Sequence, residues 1–211
     1  MEIVLTALDE TLAGAWAKHC DGLAEVRIHQ GSIFEVGCDA VVSPANSFGF
    51  MDGGIDALYA RHYGPAVQDR VRMAILKRHH GELLVGSAEI VETGDLRQPY
   101  LIAAPTMRVP MKLGPDTVSP YLAARAVLLL VRHGSFADGP SAGRRIGEIV
   151  RSIAFPGLGT GVGGVPADIC ARQMRRAIED HRSGSARLPR SWAQASEDHQ
   201  RLYTNEPTRL Q

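Results

Sequence analysis

Short apolar runs and amphipathic segments alternate along the whole chain. Apolar runs predict six strands, at residues 2–6, 24–29, 39–42, 83–91, 100–103 and 149–154. Apolar side chains at helical spacing predict helices at residues 9–19, 55–63, 67–75, 117–133 and 167–182. Strands that alternate with helices are typical of a three-layer α/β/α domain with a central mixed, largely parallel sheet. In such sheets ligands bind beyond the carboxyl ends of the strands.

Turn residues separate the predicted elements. Gly81 follows the second of two adjacent helices and is expected to form its C-cap. Residues 105–115 contain three prolines without a clear period and predict a loop. Residues 134–145 predict a flexible surface connection.

The carboxyl-terminal part of the chain differs in composition from the rest. Residues 1–183 are expected to form the α/β domain, and residues 184–211 form a more polar tail. Within the tail, an amphipathic pattern predicts one short helix, with Trp192 and Leu202 as the side chains available to dock it on the domain.

Composition excludes several classes of protein. Lysine plus arginine and aspartate plus glutamate each number 23, so charge gives no argument for a nucleic-acid or membrane partner. Cys20, Cys38 and Cys170 are far apart, which favours reduced thiols in a cytosolic protein over a disulfide framework. No apolar run approaches the length of a membrane span, so a cytoplasmic protein is expected. The eight histidines are scattered, and no metal site is expected.

Loop B, defined here as residues 155–166, has the sequence FPGLGTGVGGVP. It lies between a predicted strand and a predicted helix. Glycines permit a tight turn and close approach of a ligand, and the first N–H groups of a helix point toward an anion. Loop B therefore predicts a phosphate-binding turn, although a lone glycine cluster is more often a turn without a ligand.

Loop A, defined here as residues 43–55, also lies between a predicted strand and a predicted helix, earlier in the chain. Its Asn46 suits either an Asx-turn or a hydrogen bond to a ligand hydroxyl. Gly53 and Gly54 open a second helix whose N–H groups suit a phosphate. Asp56 lies in the first turn of that helix, where a carboxylate also stabilises the helix dipole. Two glycine-rich helix entrances in one domain suit a diphosphate held from both sides.

Several motifs in order resemble the macrodomain family of ADP-ribose-binding modules. They are Gly31-Ser32-Ile33, the segment DAVVSPAN at residues 39–46, the segment GGID at residues 53–56, and GTGVGG at residues 159–164. The match runs through most of residues 24–182. The spacing from Asn46 to Asp56 resembles that of MacroD-type hydrolases.

The resemblance implies a role for each motif, with ADP-ribose as the ligand and no cofactor. Ser32 and Ile33 would flank the adenine, and Asn46 would bind hydroxyls of the distal ribose. Asp56 would lie close to the anomeric carbon of that ribose and, with Asn46, act in catalysis. The ligand-binding residues that it implies are Ser32, Ile33, Ala45, Gly53, Gly54, Ile55, Gly159, Thr160, Gly161, Val162 and Gly163.

The chain departs from the family pattern at several positions. Ser32 stands where the family has an adenine-binding aspartate, and Ser43 stands where it has the first asparagine of its NAAN motif. Gly163 replaces an aromatic residue that often covers the distal ribose. Phe48 or Phe50 is a candidate to supply a ring in its place.

The resemblance implies an enzyme that releases ADP-ribose from a modified side chain, or one that deacetylates O-acetyl-ADP-ribose. The sequence does not separate these reactions. A reader domain without turnover, and a structural protein with a degenerate site in a larger assembly, are alternatives.

A nicotinamide-dependent oxidoreductase is the alternative from another class. Gly159, Gly161 and Gly164 satisfy GxGxxG, but the motif lies in the last strand–helix unit and Asp180 falls inside the following helix. A P-loop kinase is excluded because no GK[ST] follows these glycines.

Overall fold

The structure is a computed structural model that describes residues 1–184 and 187–206. Its strands are β1 (Glu2–Ala7), β2 (Val26–Gln30), β3 (Ala40–Ser43), β4 (Glu89–Glu92), β5 (Tyr100–Ala103) and β6 (Ser152–Phe155). Its helices are α1 (Glu10–Cys20), α2 (Gly54–Tyr63), α3 (Ala66–His79), α4 (Ser119–His133), α5 (Ile146–Ile149), α6 (Ala167–Ser183) and α7 (Trp192–Gln200). A 3-10 turn spans Ile33–Glu35.

The six strands form one sheet in the order β2-β1-β6-β3-β5-β4. Neighbouring strands are parallel except at the edge, where β4 runs antiparallel to β5. Helices cover both faces, and two hydrophobic clusters lie on opposite sides of the sheet. The expected three-layer α/β/α fold with a mixed, largely parallel sheet is confirmed. Five strands therefore end at the same edge of the sheet.

Burial on both faces explains why the strands appear as continuous apolar runs. In β1, Ile3 and Leu5 face the cluster that includes α1, α4 and α6, whereas Val4 faces the cluster that includes α2 and α3. Trp16 of α1 is fully buried, and its indole N–H donates to the Thr6 carbonyl at 3.3 Å. This contact fixes α1 against the end of β1 that faces the ligand edge.

The strand predicted at residues 83–91 is much shorter than expected. Only Glu89–Glu92 forms β4, because Gly86 adopts a φ of 93° and Ser87 donates to the Leu84 carbonyl in a turn. Leu83 is buried instead beneath loop A, where its N–H donates to the Ser47 carbonyl at 2.9 Å.

The strand predicted at residues 149–154 begins later than expected. Ile146–Ile149 forms the short helix α5, and β6 starts at Ser152. The side chain of Asp39 accepts from the N–H groups of Arg151 and Ser152 at 2.7 and 2.8 Å, which sets the point where the strand begins.

The connection at residues 134–145 is more ordered than predicted. Ser135 and Arg145 form an antiparallel bridge. Phe136 is buried, with its ring centroid 5.0 Å from that of Tyr100. Packing of one aromatic ring onto the sheet thus holds a segment whose composition resembles that of a free loop.

The ends of two helices also differ from expectation. His80, rather than Gly81, is the C-cap of α3, with a left-handed φ of 52°. In the tail, α7 confirms the predicted short helix, but Trp192 is 84% exposed and does not dock, whereas Leu202 is buried. Residues 185, 186 and 207–211 of the predicted tail lie outside the described residues.

Candidate functional site

A cavity of about 370 Å³ opens at the carboxyl edge of the sheet. Its wall is formed by the end of β1, the 3-10 turn, loop A, the start of α2, residues after β5, and loop B. Every residue predicted to bind ligand or to act in catalysis lines it: Ser32, Ile33, Ala45, Asn46, Gly53, Gly54, Ile55, Asp56, Gly159, Thr160, Gly161, Val162 and Gly163. Motifs more than 120 residues apart in the chain therefore meet in one space.

Asp56 is a buried carboxylate in the first turn of α2. It is 8% exposed, and it lines the cavity. The hydroxyl of Ser43 donates to its Oδ1 at 2.5 Å. Burial raises the pKa of Asp56 to about 6, although the hydrogen bond from Ser43 opposes that rise. The carboxyl group of Asp56 therefore gains and loses its proton at a pH closer to neutrality than an ordinary aspartate does.

Asn46 holds the shape of loop A. Its Oδ1 accepts from the N–H groups of Phe48 and Phe50 at 3.1 and 3.2 Å, and its Nδ2 donates to the Phe50 carbonyl at 2.8 Å. This is the Asx-type role that the sequence left open. One hydrogen of Nδ2 takes part in none of these bonds.

Helix α3 also holds loop A in place. The Met51 N–H donates to Gln68 Oε1 of α3 at 2.7 Å. Gly49 has a φ of 69°, and a Cβ there would lie 2.9 Å from a methyl group of Val71. Helix α3 therefore packs directly on the loop backbone.

The start of α2 presents free donors to the cavity. The helical hydrogen-bond ladder begins where the Ala57 N–H donates to the Gly53 carbonyl at 3.2 Å. The N–H groups of Gly54, Ile55 and Asp56 precede that bond and have no partner within the helix. N–H groups left free at the start of a helix are suited to an anion.

Loop B is ordered by its own backbone. The Val165 N–H donates to the Gly159 carbonyl and the Gly164 N–H to the Gly161 carbonyl, both at 3.0 Å. A Cβ on Gly163 would lie 2.5 Å from the Gly159 oxygen, so no side chain fits there. Within the described part of the chain, no carbonyl accepts from the N–H groups of residues 160–162.

Ser32 caps the 3-10 turn at the other end of the cavity. Its hydroxyl accepts from the Phe34 N–H at 3.3 Å, and its own N–H donates to Glu35 at 3.2 Å. Gln98 supports the same turn from below, because its Nε2 donates to the Ile33 and Val36 carbonyls, both at 2.7 Å.

Two lining segments were missed by the sequence reasoning. Residues 6–9 comprise the end of β1 and the two residues after it, and Thr106, Met107 and Pro110 follow β5. Both strands end at the ligand edge, so the parallel-sheet rule itself was the available signal. Of the two candidate rings in loop A, Phe50 lines the cavity and Phe48 does not.

The described residues give little support to other chemistries. Asp180 of α6 accepts from the Tyr121 hydroxyl and from Arg176, both at 2.9 Å, and it does not line the cavity. Among residues 1–184 and 187–206, no group of three or more metal-binding side chains occurs. In those same ranges, no helix is long and apolar enough to cross a membrane.

The three cysteines do not line the cavity. Cys20, Cys38 and Cys170 are all buried free thiols. Burial raises the pKa of Cys20 and of Cys170 to about 12, and that of Cys38 to about 11. The thiols are therefore protonated and unreactive at neutral pH.

Comparison with known families decides where this fold belongs. The model of the Macro domain family matches residues 42–174, more than half of the chain. The chain belongs to the Macro domain family. The resemblance seen in the sequence motifs is thereby confirmed at the level of the family. Its narrower likeness to MacroD-type hydrolases stays a prediction.

Individual macrodomains and relatives show the same similarity. An uncharacterized protein of Aquifex aeolicus is 37% identical over 73% of this chain and 81% of its own length. A Salmonella gallinarum protein named O-acetyl-ADP-ribose deacetylase is 30% identical over 74% of this chain and 79% of its own. An Oceanobacillus iheyensis macrodomain variant, solved with ADPR, matches with a TM-score of 0.57 at 20% identity, over 71% of this chain and 74% of that one.

Proposed function

We propose that the cavity binds ADP-ribose, with the diphosphate between the start of α2 and loop B. The support comes from donors on both sides: the first N–H groups of α2 and those of residues 160–162. Among the described residues that line the cavity there is no lysine or arginine, so backbone N–H groups would carry the recognition of phosphate. The related macrodomain solved with ADPR supports the same ligand.

We further propose that this macrodomain is a hydrolase acting at the distal ribose. The single observation that carries this proposal is Asp56, a buried carboxylate that lines the cavity between the two glycine-rich loops. In its ionised form it would orient a water and accept a proton from it as the water attacks C1 of the distal ribose. Its charge would also stabilise the oxocarbenium-like transition state. The bond between C1 and the modified side chain breaks, and the side chain leaves with the bonding electron pair. The proton that Asp56 took from the water passes to that side chain or to solvent, and ADP-ribose is released.

The phosphate loops would contribute binding energy remote from the reacting bond. Asn46 would hold a ribose hydroxyl through its remaining amide hydrogen, which aligns C1 with the water. Deacetylation of O-acetyl-ADP-ribose would use the same residues with the water aimed at the acyl carbon, and the deacetylase name of one relative supports this second reaction. Neither reaction calls for a cofactor, and an ADP-ribosylated protein is the expected macromolecular substrate.

The test compares Asp56→Ala with Asp52→Ala, because Asp52 is an exposed carboxylate that lines the same cavity. Binding is measured by calorimetry with ADP-ribose, ADP and NAD. Turnover is measured on aspartate-, glutamate- and serine-linked ADP-ribose and on O-acetyl-ADP-ribose. We expect Asp56→Ala to bind ADP-ribose but to lose turnover by at least about a hundredfold, the scale of a lost general base. Full turnover by Asp56→Ala would refute the catalytic assignment.

A reader module without turnover is the second candidate function. It is favoured by Asn46, since most of the hydrogen-bonding capacity of its amide is used within loop A rather than kept for chemistry. In that case the wild-type protein binds ADP-ribose in calorimetry and hydrolyses none of the four substrates.

A further inference from the structure

A second cavity, called here the edge cavity, lies beside β4, the last strand of the sheet, and has a volume of about 350 Å³. Its walls are formed by helix α3, strand β4, Tyr100 of β5 and residues 136–139 of the connection between α4 and α5. Among the described residues, none lines both this cavity and the one at the carboxyl edge. Small-molecule sites usually have volumes of about 300–1,000 Å³. The edge cavity is therefore large enough for a small ligand and separate from the proposed ADP-ribose site.

The floor of the edge cavity is apolar. Four buried side chains line it: Ala74 of α3, Ile90 of β4, Tyr100 and Phe136. The ring centroids of Tyr100 and Phe136 lie 5.0 Å apart. Met73 also lines the cavity and is 62% exposed. An apolar group that covers this floor would remove its own surface and that of the floor from water, which is favourable.

Two cations and one carboxylate meet at the rim of the edge cavity, and all three line it. Lys77 Nζ donates to Asp138 Oδ1 at 2.9 Å, and the Arg78 guanidinium donates to Asp138 Oδ2. The hydrogen bond from Lys77, and then that from Arg78, hold the pKa of Asp138 below its usual value. Arg78 is also oriented by Glu89, whose Oε2 accepts from its Nε at 2.9 Å. The rim thus holds one carboxylate between two cations, and the side chain of Asp138, which fills that position, is 53% exposed.

The outer edge of β4 is not open to another strand. The Ile90 N–H donates to the side chain of Glu89 at 3.0 Å, and Arg70 donates to the Glu92 carbonyl at 3.1 Å. These are backbone groups that a peptide strand would have to bind at this edge. Because side chains already bind them, the edge cavity suits a small molecule rather than an added strand.

We infer that the edge cavity binds a small amphiphilic anion, with its apolar body on the floor and its carboxylate in the place of the Asp138 carboxylate. The support is charge complementarity, since Lys77 and Arg78 converge on one carboxylate and hydrogen bonds between charged groups are the strong ones. Asp138 can be displaced, because an exposed ion pair contributes little net stability in water. A bound ligand would keep both cations paired and would also bury its apolar body on the floor. None of the residues assigned to ADP-ribose takes part.

The experiment measures the binding of octanoate, a straight-chain carboxylate, to the full chain by calorimetry. We expect a dissociation constant in the millimolar range or below, which an excess of ADP-ribose does not change. Asp138→Asn removes the competing charge and should tighten octanoate binding by about threefold. Lys77→Gln should weaken it by about threefold, the scale of an exposed ion pair. Octanol lacks the carboxylate, so neither substitution should alter its binding.

The matched control is Lys18→Gln. The side chains of Lys18 and Lys77 are 66% and 65% exposed, and Lys18 Nζ donates to a carboxylate of Asp168, but neither Lys18 nor Asp168 lines a cavity described above. Lys18→Gln should leave the affinity for octanoate unchanged.

The outcomes separate this site from the proposed function. Three results would each overturn it: no octanoate binding by the wild type, displacement of octanoate by ADP-ribose, or equal losses of affinity in Lys77→Gln and Lys18→Gln. If octanoate binds as expected and ADP-ribose does not bind, the proposed function is refuted and the anion site in the edge cavity stands.

Discussion

The hydroxyl of Ser43 donates a 2.5 Å hydrogen bond to Oδ1 of Asp56, and so joins the last residue of β3 to the first turn of α2. Both residues are buried, and Asp56 lines the cavity. A hydroxyl that donates to a carboxylate stabilises its ionised form. Ser43, which departs from the family pattern, therefore acts on the residue proposed to carry the chemistry.

The first prediction concerns the pH dependence of turnover. The proposed hydrolysis requires the base form of Asp56, and burial raises the pKa of Asp56 to about 6, so kcat/KM should fall as the pH drops through about 6. Ser43→Ala removes a bond that lowers this pKa, so the acid limb should move up by about one pH unit. The neighbouring Tyr59 adds no charge, because burial raises its pKa well above the usual value.

The control for that experiment is Ser47→Ala, another buried serine in loop A that does not line the cavity. Its acid limb should coincide with that of the wild type. Ser43→Ala could instead lower kcat/KM by the same factor at every pH and leave unchanged the pH at which kcat/KM falls. That result would show that Ser43 has only a structural role.

The second prediction concerns stability. Burial raises the pKa of Asp56 from its ordinary value of 3.8 to about 6 in the folded protein, so the folded protein binds more protons than the unfolded chain between these values. Stability contributed by the neutral carboxyl is complete below about pH 4 and is lost as the pH rises through 6. Asp56→Asn cannot ionise, so at pH 8 it should exceed the wild type in stability by up to roughly 3 kcal/mol.

Urea unfolding of the wild type and Asp56→Asn at several pH values measures this difference. The gain should shrink toward zero at pH 4, and Asp52→Asn, which changes an exposed carboxylate, should show no comparable trend. An equal stability difference for Asp56→Asn at pH 4 and pH 8 would contradict the burial of a titrating carboxyl at this position.

The third prediction compares two glycines of loop B. A Cβ at Gly163 would lie 2.5 Å from the Gly159 oxygen, whereas a Cβ at Gly161 has nothing within 4 Å. Gly163→Ala should therefore lower the free energy of unfolding by about 1–3 kcal/mol, as overpacking does. Gly161→Ala should change it by less than about 0.5 kcal/mol, as substitutions in open space do. Denaturant unfolding of both variants decides the point, and equal values would mean that loop B is not packed as described.

Much of the fold was predictable from local pattern. Residues 39–42 and 100–103 were assigned to buried strands correctly, because strands covered on both faces need apolar side chains at every position. The strands predicted at residues 83–91 and 149–154 were wrong in extent. The runs look continuous in sequence, but a glycine turn at Gly86 and the hydrogen bonds of Asp39 break them, and Asp39 lies 112 residues away from Arg151.

The amino-acid sequence by itself determined that the two glycine-rich loops line one cavity. Glycines after buried parallel strands can only meet at the carboxyl edge, and their order identified the family. Tertiary packing alone decided the chemical state of the site. Three properties depend on side chains brought together across the fold. Asp56 is buried and accepts a hydrogen bond from Ser43, Asn46 bonds within loop A, and Phe50 lines the cavity whereas Phe48 does not. The physical reason is that desolvation and hydrogen-bond partners are properties of the surroundings of a residue and not of its type.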